Sequence, residues 1–217
     1  MIQFVFNKPI TTPLKLLCLG AHSDDIEIGC GGTILRLIAE YPNVEITWMV
    51  FSALGERAVE AQHSADEFLK NVQHKQIRLN EFRDGYFPSN FEALKDVFED
   101  LKDSVLPNVL FTHYRNDLHQ DHRQINELTW NTWRDHFILE YEIPKYDGDL
   151  GSPNFFVTLD DDVRARKVEL LMRYFQTQAN KHWFSPETFG ALMRLRGVEC
   201  KAPGGYAEAF YGRKISI

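Results

Sequence analysis

Leu14-Lys15-Leu16-Leu17-Cys18-Leu19-Gly20 is a short apolar run stopped by a glycine, and Ala21-His22-Ser23-Asp24-Asp25-Ile26-Glu27 follows it directly. Such a run reads as a buried strand, and the polar cluster reads as the loop leaving its end. Gly29-Cys30-Gly31-Gly32 continues that loop into residues 34–41, where Ile34, Leu35, Leu37 and Ile38 share a helical face. The unit is strand, loop, helix.

The same alternation continues downstream. Residues 44–51 are rich in β-branched and aromatic side chains after a Pro42-Asn43 turn signal, and 57–72 return to helical spacing. Residues 76–79 form a third short strand. Phe91, Leu94, Val97, Phe98 and Leu101 recur at three- and four-residue steps, marking a helix that stops before Pro107, and 109–111 supply a fourth strand. Later, 137–143 read as a strand, 148–154 as a loop, and 161–175 and 186–195 as helices. Repeated β-α units imply a mostly parallel sheet with helices on both faces, a three-layer α/β/α sandwich. No linker, repeat or low-complexity segment divides the chain, so 1–217 is expected to be a single domain.

A second cluster, His119-Gln120-Asp121-His122, follows the fourth strand as the first follows strand one. Ligands of open α/β sheets sit beyond the carboxyl ends of the strands, so both clusters can share one crevice. His22 and Asp25 are three apart, which lets one turn aim both at an ion, and His122 is the best third ligand. An Asp and two His leave coordination positions open for water and a substrate oxygen, as in catalytic zinc sites. Asp24 points to a different side from Asp25 and is the candidate general base and acid. His119, if charged, would face the developing oxyanion, and Asp121 would hold an imidazole's second nitrogen.

Each cluster alone could be a cap or a surface hydrogen-bonded pair; their joint placement at two strand ends favours the metal reading. Gly29, Gly31 and Gly32 read as tight packing, since GCGG lacks the spacing of a dinucleotide loop. His63 and His74 read as structural, His113 as either a crevice or a core residue, and His136 as unpartnered. His182 could reach the crevice from the C-terminal region.

A net charge of −7 argues against nucleic acid as a partner. Cys18, Cys30 and Cys200 are widely spaced, which suggests buried reduced thiols and a cytoplasmic protein. Residues 1–8 show no secretory signal, and no segment is apolar for long enough to span a membrane. Trp130, Trp133, Trp183 and Phe184 could line a homo-oligomer interface, the core or the substrate pocket.

The two clusters resemble the Ala-His-Pro-Asp-Asp and His-Pro-Asp-His elements of the PIG-L/LmbE family of zinc-dependent N-deacetylases. Gly29-Cys30-Gly31-Gly32-Thr33, Arg57-Ala58-Val59-Glu60, Asp84-Gly85 and Tyr206-Ala207-Glu208-Ala209-Phe210 resemble further landmarks in the same order. The resemblance implies a Rossmann-like sheet, with His22, Asp25 and His122 as metal ligands, Asp24 as base and acid, and His119 stabilising the tetrahedral intermediate. It also implies that Arg57 and Asp84 contact sugar hydroxyls, against the plain alternatives of an Arg57–Glu60 pair and an ordinary Asp-Gly turn. Ser23 and Gln120 replace the family prolines without removing a ligand. Asp117 stands where some members have a tyrosine, and is expected to meet a polar or cationic part of the substrate.

The expected reaction is hydrolysis of an acetamido group on an N-acetylated amino sugar or its conjugate, of the N-acetylglucosamine type, with Zn²⁺ or alternatively Fe²⁺ as the ion. The rivals are a metal-dependent amidase for a non-sugar small molecule and a non-catalytic module for a sugar nucleotide.

Overall fold

The computed structural model describes residues 4–6 and 12–215; the reading of the N-terminal segment therefore falls largely outside the described residues. Seven strands form one sheet in the order β3-β2-β1-β4-β5-β7-β6. They are β1 (Leu14–His22), β2 (Val44–Ser52), β3 (His74–Leu79), β4 (Val109–His113), β5 (Phe137–Tyr141), β6 (Phe155–Leu159) and β7 (Tyr206–Gly212). The first five are parallel, and β7 runs antiparallel to both of its neighbours. The helices are α1 (Asp25–Glu40), α2 (Glu56–Phe68), α3 (Phe91–Ser104), α4 (Gln120–Thr132), α5 (Asp161–Tyr174) and α6 (Pro186–Glu199).

Strand periodicity divides the core. Leu14, Leu16 and Cys18 of β1 face a cluster that includes residues of α1, α2, α5 and α6, whereas Leu17, Leu19 and Ala21 face one containing residues of α3 and α4. Both faces are therefore covered, the condition for a parallel sheet. This is the expected three-layer α/β architecture. Strand order reverses at β1, which pairs with β2 on one side and β4 on the other. The loops leaving β1 and β4 are thus neighbours across a topological switch point.

Three details depart from the sequence reading. Gly29, Gly31 and Gly32 lie inside α1, which begins at Asp25, and not in a loop. Close packing outweighs their poor helix propensity: a Cβ on Gly29 would meet the Tyr141 ring, and one on Gly32 would lie 2.7 Å from Leu159 Cδ1 and 3.0 Å from Glu208 Oε1. Second, β6 and β7 are strands that periodicity does not reveal, because β7 carries the buried Glu208 between alanines. Third, α2 ends at Phe68, before the expected 72, and α6 runs on to Glu199.

Glu208 explains Gly32. Its carboxylate accepts from Gly32 N–H at 2.8 Å and Thr33 N–H at 2.6 Å, while Lys167 of α5 donates to Ile28 carbonyl at 2.6 Å and to Glu208 at 2.5 Å. A buried ion pair thus bonds to backbone groups of residues 28, 32 and 33 within α1. Gly32→Ala gains about 1 kcal/mol of helix propensity but overpacks this junction, at a cost of about 1–3 kcal/mol. The variant is expected to have a lower denaturation midpoint than the parent; a higher midpoint would mean that Glu208 and Leu159 yield freely.

Candidate active site

The link from β1 to α1 is only Ser23-Asp24, and His22 N–H donates to Asp25 Oδ2 at 2.6 Å across it. That closed turn brings the His22 ring and the Asp25 carboxylate to the same side. From β4 the chain reaches His119, the N-cap of α4, whose Nδ1 accepts from Asp121 N–H at 3.3 Å. His122 then lies in the first turn of α4, and its ring packs between those of His113 and His119.

Three donor atoms converge. His22 Nδ1 lies 3.2 Å from both His122 Nε2 and Asp25 Oδ2, and His122 Nε2 lies 3.6 Å from Asp25 Oδ2. Tetrahedral ligands about 2.0–2.1 Å from a zinc ion are separated by roughly 3.3 Å, so the triangle has the dimensions and the N,N,O chemistry that such an ion takes. All three residues are buried. His113, fully buried, approaches Asp25 Oδ2 at 3.3 Å, but its Nε2 accepts from Ala21 N–H at 2.9 Å. That lone pair is engaged, so His113 is a core support and does not line the cleft.

Further carboxylates fix the rings. Asp121 Oδ2 lies 3.2 Å from His22 Nε2 and accepts from Gly85 N–H at 2.6 Å, while Asp121 Oδ1 accepts from Phe87 N–H at 3.1 Å. Asp121 therefore ties β1, α4 and the loop after β3 together. Asp117 does the same for His122, lying 2.9 Å from Nδ1, and it also accepts from Lys145 Nζ at 3.0 Å and His119 N–H at 2.8 Å. Asp117 is 2% exposed, so the expectation that it meets substrate is corrected: its cationic partner is the protein's own Lys145. Nothing in the spacing singled out Asp117 as a support for His122.

Asp24 accepts from Arg57 Nη2 at 3.0 Å, and Arg57 Nη1 reaches Asp84 Oδ2 at 3.3 Å. Glu60 is not the partner of Arg57; it accepts instead from Thr177. Asp84 Oδ1 also lies 3.1 Å from His22 Nε2. These residues line a cleft of about 190 Å³ with His119, the β5–β6 loop (Ile143, Lys145, Tyr146, Asp147) and the segment after α5 (Gln178, Lys181, Trp183). His182 is exposed and lies outside the lining, although both its neighbours belong to it. His136 is partnered by Asp135 at 2.9 Å.

Burial raises the Asp24 carboxyl above its ordinary value, against the opposing charge of Arg57. Burial also lowers His122, to about 3. For His22, burial is outweighed by Asp25, Asp121 and Asp84, and the ring is raised well above the usual imidazole value. His119 is lowered by burial and then by the charge of His22. It is thus a neutral ring, and because Nδ1 is engaged as an acceptor, its proton is on Nε2. Burial pushes all three thiols up, and each cysteine is free and buried.

A family model described as PIG-L, GlcNAc-PI de-N-acetylase, matches residues 17–133. The chain belongs to this family of deacetylases. YaiS of Escherichia coli K12, described as an uncharacterized deacetylase, is 27% identical over 137 residues, 59% of this chain and 74% of that protein. The N,N'-diacetylchitobiose deacetylase of Pyrococcus horikoshii superposes with a TM-score of 0.73 at 22% identity, covering 92% of this chain and 84% of that one. The 4-carboxy-2-hydroxymuconate hydratase GalB of Pseudomonas putida superposes with a TM-score of 0.69 at 16% identity, covering 94% and 97%. One fold thus carries different reactions, so the reaction here has to be argued from the site and the family.

Zinc entering the triangle displaces the His22 proton, so affinity is expected to strengthen as pH rises, by about tenfold per pH unit while His22 is protonated in the free protein. Competition with a chelating dye measures the slope, and a flat profile would contradict the convergence of His22 on the ion. Asp117→Ala is expected to weaken zinc binding by about 10–100-fold in the same assay.

Proposed function

We propose that this protein removes the N-acetyl group of an N-acetylated amino sugar or its conjugate, releasing acetate and a free amine, with Zn²⁺, or Fe²⁺ in its place, held by His22, Asp25 and His122. The observation that carries the reading is the triangle of His22 Nδ1, Asp25 Oδ2 and His122 Nε2 with Asp24 beside it in an open cleft. When bound, the ion supplies Lewis acidity toward the carbonyl and lowers the pKa of water.

The chain's own groups do the rest. Asp24 takes the proton of the attacking water and delivers it to the leaving amine, a task suited to a carboxyl raised by burial and balanced by a guanidinium. His119 donates Nε2–H to the oxyanion that develops on the carbonyl, acting as a neutral donor and not as a cation. Asp121 orients His22 and Asp117 orients His122. Arg57 and Asp84, which line the cleft and hold each other, are the residues proposed to meet sugar hydroxyls.

The sugar is supported by the family description, which names an N-acetylglucosamine compound, and by the chitobiose deacetylase among the similar structures. Trp183 adds an aromatic surface on the cleft wall. Asp24→Asn is expected to lower kcat for release of acetate from N-acetylglucosamine derivatives by about 10²–10⁴-fold with zinc still bound. His122→Ala is expected to lose both zinc and turnover. Near-normal rates in Asp24→Asn would remove Asp24 from the proton path.

A further inference from the structure

Helix α6 is apolar on two sides. Phe189 and Met193 face the core, whereas Ala191, Leu195 and Val198 face outward, with Leu195 51% and Val198 61% exposed. A surface helix ordinarily keeps one apolar stripe and turns polar residues to water, as α3 does with Leu94, Phe98 and Leu101 inside and Asp96, Asp100 and Asp103 outside. A helix that is apolar all round is one with both faces covered, and here the chain itself covers only one.

The two glycines of α6 point the same way. A Cβ on Gly197 would press into the backbone of Gly205, which accounts for a glycine there. One on Gly190 would meet nothing within 4 Å. Gly190 therefore costs helix propensity without any close contact inside the chain that requires it.

Charge completes the pattern. Glu187 and Lys201 are exposed near the two ends of the outer face, and neither forms an ion pair among the described residues. The arginines of the helix are already engaged: Arg194 donates to Gly205 carbonyl at 2.9 Å, and Arg196 is held by Glu142 and Glu199. From Glu187 through Ala191, Leu195 and Val198 to Lys201 the steps are of four and three residues, which keeps them along one side of α6 and its closing turn.

We propose that this face pairs two copies of the chain, α6 against α6, antiparallel about a two-fold axis near Leu195. That symmetry sets Val198 of one copy over Gly190 and Ala191 of the other, large against small, with the two Leu195 side chains meeting at the axis. It also sets Glu187 against Lys201 of the second copy, and the axis makes each contact twice. Parallel pairing would put Glu187 on Glu187 and Lys201 on Lys201, so the charges select the antiparallel orientation. A helix of 14 residues is about 21 Å long. A contact of that length is at the small end of specific interfaces, so the dimer is expected to be concentration-dependent, with Kd of about 1 to 100 µM.

Sedimentation velocity of the full chain from about 1 to 200 µM, a range that brackets this Kd, tests the proposal. Dimer is expected to appear as concentration rises, and Leu195→Lys is expected to stay monomeric throughout. Glu187→Lys and Lys201→Glu are each expected to weaken association by about tenfold, and the two together to restore it. Gly190→Leu separates pairing from folding. It should raise the thermal midpoint of dilute protein, because α6 gains a better helix former, and weaken association, because the new side chain fills the space that Val198 needs. A monomer at every concentration, an oligomer of any size that is indifferent to Leu195→Lys, or a charge exchange that fails to restore pairing would overturn the proposal.

Discussion

Two imidazole nitrogens and a carboxylate oxygen, from His22, His122 and Asp25, face one another at 3.2 to 3.6 Å inside the protein, and the rest of the structure serves that contact. Lone pairs brought so close in a buried place require a positive charge between them. Without an ion, a proton on His22 meets that need, because Asp25, Asp121 and Asp84 raise its affinity while burial keeps His122 neutral. A divalent ion satisfies the same acids more fully.

The fold delivers the three donors by adjacency. Direct pairing of β1 with β4 sets their following loops side by side, although His22 and His122 are 100 residues apart. Behind the cleft, the bidentate Arg196–Glu142 pair anchors the start of the β5–β6 loop, with Glu142 also accepting from Gly151 N–H and Tyr211 Oη–H. Lys145 in that loop then closes on Asp117, which holds His122. Two buried groups of charges thus brace this loop, one at its start on α6 and one on His122 of the metal site. Such pairs gain little stability in themselves but fix one geometry.

The parts legible in the sequence were those written locally. Alternation across 14–20 and the helical spacing of Phe91, Leu94, Phe98 and Leu101 reflect which face each side chain buries. The two polar clusters were legible for the same reason, since each occupies a single turn. What lay hidden was set by tertiary partners. GCGG reads as a loop until Tyr141, Leu159 and Glu208 are found pressed against it. Asp117 reads as a substrate contact until His122 and Lys145 are found on it, and Gln178 and Lys181 join the cleft where the segment after α5 packs on α2.

The central claim is that two imidazoles and one carboxylate hold the ion. X-ray absorption at the zinc edge on the loaded protein tests it most directly. The account predicts a shell of nitrogen and oxygen only, at about 2.0–2.1 Å, with the outer-shell scattering of two imidazoles. A sulfur shell, or scattering from a third imidazole such as His113 or His119, would contradict it.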